Sequence, residues 1–126
     1  MSLEFVRRKI EKIPPYRRNL PLIVYEGKAY SPNFVLNEVM RGTELGEKLQ
    51  RAWETASFNS TATLKELAKA RLKWIVENLP PDVGLATFSG KAYSKEDLLR
   101  LIEKESEDIK PLLDVQLEEI REDLYG

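Results

Sequence analysis

The chain has 126 residues, 42% apolar and 33% charged, with a net charge of −1, a globular balance and not that of a disordered segment. It contains neither cysteine nor histidine, which excludes disulfides, thiolate nucleophiles, Cys/His zinc sites and imidazole bases. No apolar run approaches the roughly 20 residues that span a bilayer, and Met1-Ser2-Leu3-Glu4-Phe5-Val6-Arg7-Arg8 has no apolar segment behind its charges, so no membrane partner and a cytoplasmic location are expected.

In chain order, Leu3, Val6, Ile10 and Ile13 fall on one face of a first helix. Ser2 is its expected N-cap and Pro14-Pro15 its stop. Residues 22–25 and 28–30 then read as two strands joined by Glu26-Gly27, a pair suited to a type I′ turn with positive φ. Ser31 caps the next helix with Pro32 at its first position. Thr43 caps another, whose stripe is Leu45, Leu49, Ala52, Trp53 and Ala56. Residues 57–62 form a short linker.

The second half repeats the order. Thr63-Leu-Lys-Glu66 has the capping-box pattern, Leu64, Ala68, Leu72, Ile75 and Leu79 form a stripe, and Pro80-Pro81 closes the helix. Trp74 lies off that stripe with Leu67 and Ala70, which predicts a central helix buried on two faces. Trp74→Ala is accordingly expected to cost about 3–5 kcal/mol. Residues 85–88 and 91–93 flank Ser89-Gly90 as a second hairpin, and Ser94 caps the following helix ahead of Glu96 and Asp97. Ser106 is the expected cap of the last helix, unless Pro111 delays its start. That helix carries Ile109, Leu113, Leu117, Ile120 and Leu124.

The halves share the string Gly-Lys-Ala-Tyr-Ser at residues 27–31 and 90–94, an offset of 63 residues. Apolar positions agree on both sides of it, with one-residue adjustments, which is the register a shared fold must keep. The expected fold is therefore mainly helical α+β. It is a single domain of two duplicated helix–hairpin–helix–helix units, residues 1–60 and 61–126, with pseudo-two-fold symmetry and a shared core. Trp53, Trp74, Leu49, Leu72, Ile75, Leu99, Ile102, Leu113 and Leu117 are its expected buried residues.

No motif for chemistry survives inspection. Gly-Lys-Ala-Tyr-Ser lacks the four residues between two glycines, and the adjacent Lys-Ser, of a phosphate loop. Lys28 with Ser31 and Lys91 with Ser94 resemble an activated serine only in composition. A turn glycine, a solvated lysine, a packed tyrosine and a capping serine explain the same string. The acidic tail lacks the glycine-turned ligand spacing of a calcium loop. Neither an enzyme nor a cofactor or metal is expected. Dense Lys, Arg and Glu with little Gln suits a thermophilic source.

Charge is distributed unevenly. Residues 1–30 hold seven Lys or Arg against three Glu, a net +4, and residues 103–126 hold nine Asp or Glu against three Lys or Arg, a net −6. The basic head supplies the candidate contact residues Arg7, Arg8, Lys9, Lys12, Tyr16, Arg17 and Arg18. The expected function is a non-enzymatic protein-interaction or self-associating structural module, whose basic head meets an acidic surface of its own tail or of a partner. The alternative is nucleic-acid binding, with these cations on phosphates and Tyr16 on a base, although an isoelectric point near 5.7 is low for that role. On either reading, charge reversal of Arg7, Arg8, Arg17 and Arg18 is expected to weaken binding and leave folding nearly intact.

Overall fold

Apolar periodicity builds the first element as expected. In α1 (Ser2–Lys12), Val6 and Ile10 are buried, as is Ile13 just beyond the helix end. Pro14 and Pro15 stop the helix, and a 3-10 turn follows at Pro15–Arg17. The structure, a computed structural model, describes residues 2–80, 85–86 and 91–125. The remaining elements are β1 (Ile23–Tyr25), β2 (Lys28–Tyr30), α2 (Pro32–Met40), α3 (Glu44–Thr55), α4 (Thr61–Glu77), β3 (Leu85–Ala86), β4 (Ala92–Tyr93), α5 (Lys95–Lys104) and α6 (Lys110–Tyr125). Helices dominate, and each of the two small sheets is an antiparallel pair.

The first hairpin has the expected geometry. Tyr25 pairs with Lys28 across a two-residue turn, and Glu26 and Gly27 have φ of 49° and 78°, the positive pair that defines a type I′ turn. A Cβ at Gly27 would meet no atom within 4 Å, so Gly27→Ala introduces only left-handed backbone strain. It is expected to destabilise by about 1 kcal/mol in a thermal melt. In the second hairpin Ala86 pairs with Ala92 and Leu85 with Tyr93. That register is one residue away from the one a Ser89-Gly90 two-residue turn requires, which sets Ala86 opposite Tyr93. Ser89 and Gly90 themselves lie outside the described residues.

Helix starts follow local hydrogen-bond chemistry. Phe34 N donates to Ser31 Oγ at 3.1 Å, Gly46 N to Thr43 Oγ1 at 3.0 Å and Asp97 N to Ser94 Oγ at 3.2 Å, three expected caps. Two others are corrected, and for the last helix the delayed start that Pro111 allowed is the one observed. Ser2 is the first residue of α1 and not its N-cap. The cap of α4 is Ser60, which accepts from Thr63 N, so the helix starts two residues before the capping-box pattern and takes Thr61 and Ala62 from the supposed linker. The last helix starts only at Lys110. The Ser106 carbonyl accepts from Ile109 and Lys110 N, at 3.1 and 3.2 Å, and its Oγ is buried without a hydrogen-bond partner among the described residues.

The buried apolar residues of both halves belong to one contiguous cluster, including Val6, Leu49 and Trp53 from the first and Leu72, Ile102 and Ile120 from the second. Each fully buried aliphatic side chain in it contributes about 1.5–3 kcal/mol of burial free energy. Phe5 closes one side, its ring 6.1 Å from that of Trp53 in an edge-to-face pair. The expected core is right for Leu49, Trp53, Leu72, Ile102 and Leu113. Ile75, Leu99 and Leu117 are partly buried, the two leucines packed against the cluster, in keeping with an expectation of mostly buried positions, whereas Trp74 is 37% exposed. The reason is visible on α4, which packs against α5 and α6 through Leu64, Leu67, Ala68, Arg71, Leu72 and Val76. Its second buried side runs through Arg71 and not Trp74, so Trp74→Ala removes less buried surface than a core tryptophan would.

Candidate anion-binding surface

The basic head divides into an inward and an outward set. Arg17 turns inward, where its Nη2 donates to Asp123 Oδ1 at 2.8 Å. Its Nη1 lies 3.5 Å from Glu119 Oε2 and its Nη2 3.9 Å from Glu122 Oε2. From the other side Arg71 Nη2 reaches Asp123 Oδ2 at 3.3 Å. The Arg71 side chain is 0% exposed and that of Asp123 is 2% exposed, so one carboxylate holds two buried guanidinium groups. Burial pulls the Arg17 guanidinium down, but the Asp123 hydrogen bond and charge, with Glu119 and Tyr16, outweigh it and leave it above its ordinary value. Burial wins at Arg71, which lies below its ordinary value despite Asp123. Both keep their charge, since a guanidinium is not deprotonated in proteins.

This cluster was not anticipated, although the sequence held a signal. Arg71 and Asp123 occupy inward positions of apolar stripes, beside Leu67, Ala68 and Leu72 on α4 and beside Ile120 and Leu124 on α6. A charge breaking an apolar stripe marks either an error of register or a buried partner. Arg17 offered no such signal, since a 3-10 turn has no periodicity to violate. Its burial corrects one expectation, because reversing its charge cannot leave folding intact.

Two more head residues serve the fold. Arg18 Nε donates to the Ile13 carbonyl at 2.9 Å, just past the end of α1, and Lys9 Nζ donates to the Leu124 carbonyl at 2.8 Å. Arg7, Arg8 and Lys12 are exposed and make no ion pair with any described residue. Tyr16 is 71% exposed, its ring 5.6 Å from the Arg17 guanidinium.

Helical spacing sorts the exposed side of α1 into two rows. Glu4, Arg7 and Glu11 form a mixed row. Phe5, Arg8, Lys9 and Lys12 form the other, and these four residues line a shallow notch of ≈ 250 Å³. No carboxylate lines the notch. Lys9 Nζ stands 6.0 Å from the Phe5 ring centroid, and burial, with the charge of Lys12, holds its amine below the ordinary lysine range. Arg8 and Lys12 are exposed cations without an ion pair to any described residue, a condition that favours an incoming anion. A second notch, ≈ 230 Å³ beside Tyr25, also has two cations, Lys48 and Arg51. These are already paired, with Glu44 at 3.2 Å and Glu47 at 3.1 Å.

The repeated string takes structural roles. Lys28 and Lys91 are exposed, Tyr30 stacks on Phe34 with centroids 5.2 Å apart, Tyr93 Oη donates to Asp108 Oδ2 at 2.9 Å, and both serines cap helices. Among the described residues no group of acidic side chains is placed to hold a metal ion, and no helix is long and apolar enough to cross a membrane. No protein family, curated protein or solved structure matches the chain significantly.

Proposed function

We propose that the chain is a non-enzymatic protein-interaction module that docks a carboxylate-bearing protein surface on the cationic row of α1. The observation that carries this reading is the notch itself, lined by Phe5, Arg8, Lys9 and Lys12 with no carboxylate among its described lining residues; Arg8 and Lys12 are its exposed cations. A carboxylate settling there meets exposed donors at the rim and an aromatic edge behind them. The module is read as a duplicated unit forming one domain. The recurring order of helix, hairpin and two helices and the caps at Ser31 and Ser94 support this, while the one-residue difference in hairpin register is a divergence between the copies.

Nucleic acid is the second reading, favoured by the exposed Tyr16 beside Arg17, an aromatic available for stacking on a base. The net charge of −1 supplies no long-range attraction for a polyanion. Titration of the chain with a glutamate-rich peptide and with a single-stranded oligonucleotide at low ionic strength separates the two. The peptide is expected to bind and to be released by moderate salt. Arg8→Glu with Lys12→Glu is expected to weaken it at least about tenfold, with an unchanged melting temperature. Oligonucleotide binding that exceeds peptide binding and is lost in the same variant overturns the proposal in favour of the second reading.

A further inference from the structure

We infer that the carboxylate surface taken up by α1 is helix α6 of a second copy of this chain, so that the protein forms a two-fold symmetric dimer. The inference rests on the anion-binding reading of the α1 notch and names its occupant. Helix α6 has an acidic face used only on its inner side. Glu119 and Asp123 are occupied by Arg17 and Arg71. Outward lie Glu118, which is exposed and has no ion pair with any described residue, and Glu122, whose side chain is 70% exposed and reaches Arg17 only at 3.9 Å. Between residues 112 and 125 the only cation is Arg121.

Three features select a second copy over an unrelated acidic protein. First, α6 already receives head residues of its own chain, through Arg17 and through Lys9 at the Leu124 carbonyl, so its chemistry matches the head and is only half used. Second, the spacings agree. Arg8 and Lys12 are four residues apart on one helix and Glu118 and Glu122 four apart on the other, each about 6 Å along its axis, so two ion pairs form from one docking of the helices. Third, the head and α6 already share a seam within the chain, where Lys9 meets the Leu124 carbonyl and Arg17 meets Asp123. Adjacent patches of opposite sign become self-complementary under a two-fold rotation, which sets each basic row on the other copy's acidic row and closes the assembly at two. Exposed Val115 and Tyr125 on α6 supply apolar contact beside those pairs. A net charge of −1 leaves little repulsion between copies, and exposed pairs of this kind make the dimer weak and salt-sensitive.

Sedimentation equilibrium of the full chain over a wide concentration range tests this. Wild type is expected to approach a dimer at low ionic strength and to dissociate in moderate salt. Arg8→Glu with Lys12→Glu, and separately Glu118→Lys with Glu122→Lys, are each expected to weaken association at least about tenfold while keeping the wild-type circular dichroism spectrum. An equimolar mixture of the two variants is expected to recover the dimer, because both seams then carry opposite charges again. A chain that stays monomeric at low salt but still binds the glutamate-rich peptide overturns the dimer and leaves the interaction reading standing. Failure of peptide binding as well removes both. A dimer that forms but is indifferent to all four substitutions overturns the seam assigned to it.

Discussion

Asp123→Ala is expected to destabilise the protein by about 3–5 kcal/mol, enough to remove most of the stability of a small domain. The cost does not come from the lost hydrogen bonds alone. Among the described residues Asp123 is the only carboxylate within 4 Å of Arg71, and Arg71 is fully buried with its Nε and Nη1 already lacking partners there. Removing the carboxylate strands a cation in the interior, with Arg17 beside it retaining Glu119 at 3.5 Å and the more distant Glu122. Arg71→Met is expected to be far milder, because it removes a poorly satisfied buried charge and leaves Asp123 paired with Arg17. Urea denaturation midpoints of the two variants measure the asymmetry. Added salt is not expected to rescue Asp123→Ala, since ions screen buried pairs poorly. Equal midpoints for the two variants would show that the cluster is hydrated in solution.

The same cluster explains what the basic head and acidic tail are for within one molecule. The +4 and −6 segments are far apart in sequence, yet Arg17 and Asp123 meet across a sequence separation of 106. Part of the opposed charge is thus spent on fixing α6 against the 3-10 turn and α4. Arg8, Lys12 and Glu118 remain exposed without an ion pair to any described residue, and Glu122 is only weakly engaged by Arg17; these are the charges the proposed dimer would use.

Local chemistry was legible in the sequence wherever it acts within a few residues. Glu26-Gly27 dictates its own turn through φ, and Ser31, Thr43 and Ser94 cap helices through a donor three residues on. The stripes of α1 and α3 followed from periodicity because nothing interrupts them. Misreadings arose where distant partners decide. Trp74 was expected in the core on a second apolar face with Leu67 and Ala70, yet α5 and α6 meet α4 along the side that carries Arg71. Thr63 was read as a cap from the capping-box pattern, yet its N–H donates to Ser60 Oγ and the helix starts at Thr61. The candidate site was half legible. The seven head residues were named together, but a linear run could not show that Arg17, Arg18 and Lys9 turn to the fold, nor that the row of Phe5, Arg8, Lys9 and Lys12 separates from Glu4 and Glu11 around the helix.

Gly46→Ala is the second large effect expected, and the residue's role is invisible without the packing. A glycine inside a helix costs about 1 kcal/mol relative to alanine, so alanine here should stabilise α3 if the helix stood alone. It does not stand alone. A Cβ at Gly46 would lie 2.6 Å from both the carbonyl carbon and oxygen of Glu38 and 2.8 Å from Val39 N, distances that no rotamer change relieves because the obstructing atoms are backbone. The approach is held from both sides. Thr43 N donates to the Glu38 carbonyl at 3.2 Å, Thr43 Oγ1 donates to Glu38 Oε1 at 3.0 Å, and Arg41 pairs with Glu38 at 2.8 Å. Alanine therefore forces α3 away from α2 and strains the Leu49 and Trp53 packing behind it. The expected loss is about 2–4 kcal/mol, the overpacking cost plus part of the core contact. A chemical denaturation curve for Gly46→Ala checks this, read together with Gly27→Ala, where the added methyl meets open space. A Gly46→Ala midpoint at or above wild type would mean that α2 and α3 do not pack backbone to backbone.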